Sequence, residues 1–309
     1  MIKKIQLNEY QRYVREFFGN RPEEAFEHVG CLFGCPAEES VRCFFRYPGL
    51  DVWRCKCGMV WNANPPTQAI LDEFYAKSKA LEVWSQIKES EAERVRQAKK
   101  FGRAIETLKR DGVISVLDIG AGNGVFLKSY FDAVTGAHVD GTEMSPEAIQ
   151  AARQKGIYLT QDTLEQLVGK GQSFDVVTFW GVLEHLKDPK EALSMARQLA
   201  GKVMVCVPNV ESTVVRMLGK SAFTFCPQHL WYFNPDTLAR LLQLYFFDVK
   251  SQWTIEPEIE PILKHQALFD DPYRKDLPEW TWDTQKPIQY PISGYKIVMY
   301  GTSQYFYAA

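Results

Sequence analysis

The sequence predicts an α/β protein: a seven-stranded mixed sheet with helices on both faces, preceded by a small cysteine-rich region. Three observations carry this. From Ile114 onward, short apolar runs rich in Val, Ile and Phe alternate with segments of helical period, the pattern of a parallel sheet covered by helices. The run VLDIGAGNGVF, which starts at Val116, reads as a buried strand entering a glycine turn and then a helix, so a ligand is expected close to that turn. Five of the seven cysteines crowd between Cys31 and Cys57, a distribution that points to a metal site rather than to a disulfide framework.

Taken in order, residues 1–80 read as irregular, aromatic and cysteine-rich, and they end at WNANPPTQAILDEFYAKS, where two prolines break the chain before a short helix. Residues 81–113 read as a connecting helix with Ile87, Val95, Phe101, Ile105 and Leu108 on its buried side. Residues 114–309 carry the alternation. Its expected strands are ISVLDIG, AHVDGTE, GIYLTQD, FDVVTFWGV and KVMVCVPN, with helices through FLKSYF, PEAIQAARQ and PKEALSMARQ between them. A helix through NPDTLARLLQLYFF, a strand at DVKSQWTIE and an antiparallel last strand at SGYKIVMYGTS complete the sheet. The insertion 257–291 holds Phe269, Tyr273, Trp280, Trp282 and Tyr290, and loops of that length in compact domains are commonly lids.

Composition narrows the function classes. Hydrophobic residues make up 46% of the 309 positions, enough for a globular core. Lys and Arg total 36 against 38 Asp and Glu, a net charge of −2, so no global basic field draws the chain to nucleic acid or anionic membrane. No apolar run approaches the roughly 18 residues of a membrane span, and the N-terminus lacks the apolar core of a signal peptide. A cytoplasmic location is the expectation.

The glycine turn discriminates between nucleotides. Gly120, Gly122 and Gly124 are followed by Val125, where the dinucleotide fingerprint needs its third glycine. Asp118, two residues before the first glycine, would repel a pyrophosphate but attract the ammonium and sulfonium of S-adenosylmethionine. Glu143 ends the second strand, 23 residues after Gly120, where a carboxylate can accept hydrogen bonds from both ribose hydroxyls, with Met144 beside it. Asp162 and Thr163 end the third expected strand and suit the adenine amine; Trp180, before Gly181, can line the pocket.

These residues resemble the class I methyltransferases that use S-adenosylmethionine, over about 200 residues from Ile114 to the C-terminus. VLDIGAGNG looks like that family's first motif, DGTEMS its second, and FDVVTFWGVLEHLKDP the segment around its fourth strand. The resemblance implies a Rossmann-like sheet and S-adenosylmethionine as cofactor. DVWRCKCGMVWNANPP is similar to the second half of a zinc ribbon that precedes some bacterial methyltransferases, and PQHLWYFNPDTLARLL to a late segment of the same group. That group acts on sugars, nucleotide-linked sugars and other small metabolites. The implied acceptor is a small, carbohydrate-like molecule.

The cysteines predict one structural zinc on Cys31, Cys35, Cys55 and Cys57. The second pair, Cys55-x-Cys57, is one residue shorter than the Cys-x-x-Cys-Gly of the group, which leaves Cys43 and His28 as alternatives for the fourth ligand.

Methyl transfer needs alignment and, for a hydroxyl or an acidic carbon, a proton acceptor. His185, after the fourth strand, and His229, in the late segment, are the candidates, while Trp180, Trp231, Trp280 and Trp282 are candidate platforms for a sugar face. Some quinone-type O-methyltransferases hold a metal with Glu-x-x-Glu-His, but Gly181 replaces the first glutamate here. Two other classes compete. One is a nucleic-acid or protein methyltransferase with the ribbon as reader; against it, the amino-methylating motif Asn/Asp-Pro-Pro-aromatic is missing after the fourth strand, and Asn64-Pro65-Pro66 lies in the N-terminal region. The other is a non-catalytic S-adenosylmethionine-binding protein.

Overall fold

The computed structural model describes residues 2–88, 91–212, 215, 219–246, 249–255 and 303–308. These form two compact units. The first is built from the chain up to Ile87 and from Pro208–Asn234, the second mainly from Lys88–Val207 and Pro235–Trp253.

The first unit opens with helix α1, Ile2–Gly19, in a region whose sequence reads as irregular. Tyr10, Tyr13, Val14, Phe17 and Phe18 recur every three or four residues and share one apolar cluster with Leu71 and Phe74, which is the helical period. Leu71 and Phe74 belong to α2, Gln68–Lys77. Strands β1 (Ser40–Tyr47), β2 (Leu50–Cys55) and β3 (Val60–Asn62) follow α1. They pair antiparallel, and the fourth strand of this sheet is β8, Trp231–Tyr232. Val60 lies opposite Tyr232 and Trp61 opposite Trp231, while Val210, Phe225 and Tyr232 share a core with Phe44, Leu50, Val52 and Val60. Segment 208–234, which the sequence assigns to the span 114–309, thus packs with the N-terminal strands. Its strand is two residues long, too short for a periodicity to register.

The expected connecting helix is two helices, α3 (Lys79–Lys88) and α4 (Glu91–Arg110). Phe101, Ile105 and Leu108 are buried as expected, whereas Val95 is 52% exposed.

The second unit holds β4 (Ser115–Ile119), α5 (Val125–Ala133), β5 (His138–Thr142), α6 (Pro146–Arg153) and α7 (Leu164–Gly169). They are followed by β6 (Val176–Trp180), α8 (Pro189–Leu199), β7 (Val203–Pro208) and α9 (Pro235–Leu242). With β9 (Val249–Ile255) and β10 (Ser303–Ala308) the sheet order is β5-β4-β6-β7-β10-β9. The pairs β4–β5, β4–β6 and β6–β7 are parallel. Val116, Leu117, Val176, Val177 and Val203 are all but inaccessible, as strands covered on both faces must be.

Six strands are therefore described where seven are expected. GIYLTQD contributes a single bridge, Thr160 to Thr142; it lies beyond β5, with Ile157 buried and Tyr158 73% exposed. Of SGYKIVMYGTS only Ser303 falls within the described residues, where it begins β10; the insertion 257–291 lies outside them. No helix among the described residues is long and apolar enough to cross a membrane.

Candidate functional site

Asp118 sits near the end of β4, opposite Gly141 of β5 and Thr178 of β6. It is 1% exposed. Its Oδ1 accepts a hydrogen bond from the Thr178 hydroxyl at 2.6 Å, while Oδ2 accepts none from the described residues. Burial pushes its pKa to about 8, against the lowering effects of Thr178 and Lys100; Glu143 adds to the rise. An oxygen held in this way, buried and without a donor, awaits one.

The turn after β4 lets a ligand reach the backbone beside that carboxylate. Gly120 (φ +65°) and Gly122 (φ +56°) are left-handed, and a Cβ on Gly120 would lie 2.8 Å from Val182 Cγ2. At Gly122 a Cβ would meet nothing within 4 Å, so space is left on the side where the chain forgoes a side chain. Gly124 is the N-cap of α5.

Glu143 follows β5 and braces the same turn. Its Oε2 accepts from Gly122 N–H at 2.8 Å, and Oε1 accepts from Met144 N–H at 2.8 Å and Ser145 N–H at 2.9 Å. A carboxylate offers about four acceptor directions, so after three backbone donors one is left for a ligand hydroxyl. The expected grip on two ribose hydroxyls is thereby reduced. Met144 is 67% exposed at the rim of this region. Asp162 pairs with Lys170 at 2.7 Å, which together with the Thr160 hydroxyl lowers its pKa. Thr163 caps α7: its hydroxyl accepts from Gln166 N–H at 3.3 Å and the Gln166 side chain accepts from Thr163 N–H at 2.8 Å. That capping box already uses the Thr163 side chain.

Trp180, at the end of β6, packs on Phe126 and Phe101 with ring centroids 4.6 and 5.3 Å away. The Lys100 ammonium lies 5.3 Å from its ring. Lys100, absent from the sequence reading, acts on the Asp118 and Glu184 carboxyls alike and lowers the pKa of each. Glu184, which the sequence places after the fourth strand with His185, is 2% exposed, its Oε2 has no hydrogen bond from the described residues, and burial raises its pKa to about 8. In the sequence both were a charge near an apolar run; only folding places Lys100 on α4 beside two buried acids.

The two histidines belong to different units. His185 closes a turn after β6, with its N–H donating to the Val182 carbonyl at 2.9 Å. His229 is half-buried in the first unit, and its Nδ1 lies 2.8 Å from the Thr224 carbonyl. A carbonyl only accepts, so Nδ1 carries the proton and Nε2 the lone pair. Burial lowers the His229 pKa to about 4, although the Thr224 contact opposes it. Trp231 is 4% exposed within β8, so it is a core residue and no sugar platform. Trp280 and Trp282 lie outside the described residues.

In the first unit the sulfurs of Cys31, Cys35, Cys55 and Cys57 converge, all within 4.8 Å of one another, with Cys31 and Cys57 at 3.6 Å. Two turns bring them in, closed by Gly34 N–H to the Cys31 carbonyl at 2.9 Å and by Gly58 N–H to the Cys55 carbonyl at 3.0 Å. The left-handed Gly58 (φ +90°) turns the chain directly after Cys57, so the one-residue spacer still lets both sulfurs face inward. Burial raises the pKa of Cys35 and Cys57. Cys55 is buried too, but hydrogen bonds from the Cys57 backbone, from the Cys57 and Cys35 thiols and from Ser40 bring its pKa below the usual value. The alternative ligand Cys43 instead packs against the apolar cluster of Phe44 and Leu50, and burial raises its pKa to about 11.

Comparison with known proteins fits this geometry. Residues 88–252 match the family model described as a methyltransferase domain. The chain is 35% identical over 173 residues to the ubiquinone biosynthesis O-methyltransferase of Hahella chejuensis, covering 50% of this chain and 71% of that protein. It is 38% identical over 102 residues to the enzyme of the same name from Photorhabdus laumondii and 32% identical over 146 residues to that of Cereibacter sphaeroides. These alignments cover 30% and 42% of this chain, and the chain spans only 42% and 58% of the length of those two relatives. Among solved structures, the magnesium protoporphyrin IX methyltransferase of Synechocystis PCC 6803 with bound SAH superposes with a TM-score of 0.50 at 20% identity, over 62% of this chain and 94% of that one. That likeness concerns the fold. Since the family match takes in more than half of the 309 residues and includes the turn beside Asp118, the chain belongs to the methyltransferase domain family, the class I S-adenosylmethionine-dependent methyltransferases.

Proposed function

We propose that the protein transfers a methyl group from S-adenosylmethionine to a small polar metabolite, with a sugar or nucleotide-linked sugar as the favoured acceptor. The observation that carries the reading is the buried Asp118 carboxyl, one oxygen without a donor, beside a glycine turn open at Gly122. When bound, the cofactor supplies an activated methyl group. The chain's own residues orient it: Asp118 toward the cationic methionyl part, the backbone of Gly120 and Gly122 in close approach, and Gly124 starting α5. Glu143 faces the ribose, Met144, Asp162 and Thr163 the adenine, and Trp180 forms a wall. Glu143→Ala removes the brace on Gly122 together with the ribose contact and is expected to weaken cofactor binding by about 1–3 kcal/mol, as read by calorimetry with SAH.

The proton acceptor is His229 or His185, with Glu184 as a third candidate because its raised pKa suits exchange near neutrality. His229→Gln or His185→Gln, whichever is the base, is expected to lower kcat by roughly 10²–10⁴-fold with SAH affinity retained. Because the His229 pKa is about 4, a rate that depends on it should stay level well below neutrality instead of falling with an ordinary histidine near about pH 6.5. Unchanged turnover in both variants removes the histidines from the mechanism.

We also propose that Cys31, Cys35, Cys55 and Cys57 hold one structural zinc. Tetrahedral ligands at a Zn–S distance of about 2.3 Å lie about 3.8 Å apart, and the Cys31–Cys57 separation of 3.6 Å suits that.

A second acceptor class has a specific support: the relatives aligned above are named for O-methylation in ubiquinone biosynthesis. The test is incubation of the full chain with methyl-labelled S-adenosylmethionine and, in separate arms, nucleotide-linked sugars, free sugars and a hydroxylated ubiquinone precursor. Label in the sugar arms supports the favoured reading. Label in the precursor alone moves the acceptor to the second class, and label in none rejects both.

A further inference from the structure

Lys100 of α4 stands among the cofactor residues of the second unit and is half-buried. Its ammonium lies 5.3 Å from the centre of the Trp180 ring, within cation–π reach. Trp180 follows Thr178 by two residues on β6, so both side chains project from one face of the sheet, and on that face the Thr178 hydroxyl donates to the Asp118 carboxyl at 2.6 Å. Phe101 of α4 and Phe126 of α5 pack on the same tryptophan. Lys100, Trp180 and Asp118 therefore share one face at the carboxyl end of the strands, the end at which open α/β sheets bind ligands.

What this ammonium lacks is an anion. Among the described residues it forms no hydrogen bond and no close ion pair. The two acids that feel its charge, Asp118 and Glu184, are buried, and burial raises the pKa of each to about 8, so near neutrality most of each is the uncharged acid. Neither gives the lysine a full counter-charge. A half-buried ammonium held against a ring gains most from a carboxylate that reaches it. The methionyl end of S-adenosylmethionine is a zwitterion, with its ammonium and its carboxylate on one carbon. Its ammonium suits the Asp118 oxygen that accepts no hydrogen bond from the described residues, which leaves its carboxylate to a neighbouring cation.

We propose that Lys100 binds the methionyl carboxylate of the cofactor and so selects the complete amino-acid end over ligands that carry the amine alone. The assignment rests on S-adenosylmethionine being the cofactor and is independent of the methyl acceptor.

Calorimetry on the full chain with SAH and with its decarboxylated analogue, in which an aminopropyl chain replaces the amino acid, tests it. The wild type should bind SAH roughly 10–100-fold more tightly than the analogue, the worth of a charge-assisted contact, and this readout needs no variant. Lys100→Met keeps an apolar stem against Trp180. It should weaken SAH by a similar factor while the analogue binds as before or more tightly, with circular dichroism checking that the variant folds. Equal affinity of the wild type for the two ligands overturns the proposal. So do equal losses for both in Lys100→Met, because the lysine would then act through the two acids or through packing. Tighter SAH binding in that variant overturns it as well, since Lys100 would then occupy the place of the cofactor's ammonium. A wild-type chain that binds neither ligand overturns the cofactor reading and the role of Lys100 together.

Discussion

Replacing Cys55 with serine is expected to empty the proposed zinc site and to unfold the first unit before the second. A thiolate set that closes around one ion contributes on the order of 10–16 kcal/mol to folding, far more than a single packing contact. Cys55 is the buried member, and the thiols of Cys35 and Cys57 both hydrogen-bond to it. Its loss leaves three sulfurs of a geometry that needs four. Elemental analysis of protein purified without chelator should find about one zinc per wild-type chain and well below half of that in the variant. Cys43→Ser is the control: Cys43 packs against apolar residues, so the variant should keep its metal while losing a little stability. Less than a tenth of an equivalent in the wild type, or full zinc in Cys55→Ser, rules the site out.

The second large effect is expected at Asp118. Asp118→Asn keeps an acceptor for the Thr178 hydroxyl, now 2.6 Å from Oδ1, but removes the charge that the cationic cofactor needs. SAH affinity should fall by about 1.5–3 kcal/mol, roughly 10–100-fold. Stability should move the other way. The folded pKa of about 8 lies above the ordinary carboxyl value of 3.8, so between those two values the folded chain holds a proton that the unfolded chain has released. Stability then falls as pH rises through that window, and the asparagine variant loses this part of the dependence. It should gain on the wild type from pH 5 to pH 8, by roughly as much as the carboxyl disfavours burial. Cofactor binding to the wild type at neutral pH should also release a proton, counted by calorimetry in buffers of different ionisation enthalpy. No proton release together with unchanged affinity in the variant refutes the role given to Asp118.

What the sequence by itself determined is the chemistry set by local pattern. The alternation after Ile114 is repeated many times, so β4 to β7 and the helices α5, α6 and α8 lie where the pattern puts them, whereas α7 stands where no helix is expected and GIYLTQD gives a bridge in place of a strand. The glycine turn was legible for a related reason: its three glycines and Asp118 fall within seven consecutive residues, and a turn this short leaves few ways to arrange them. The four cysteines were legible as one converging set because they fall in two close pairs. That Cys55-x-Cys57 completes the set, however, depends on a left-handed Gly58 and on a turn at Gly34 far away in sequence.

Only the tertiary structure decided what depends on long-range pairing and on burial. A two-residue strand, β8, ties segment 208–234 to β3, more than 150 residues earlier in the chain, and no window of sequence contains both partners. The pKa values of Asp118 and Glu184 near 8 come from desolvation by the fold, which Lys100 of α4 only partly opposes. Composition cannot carry that, because the same carboxyl on an exposed strand end would titrate in the ordinary range.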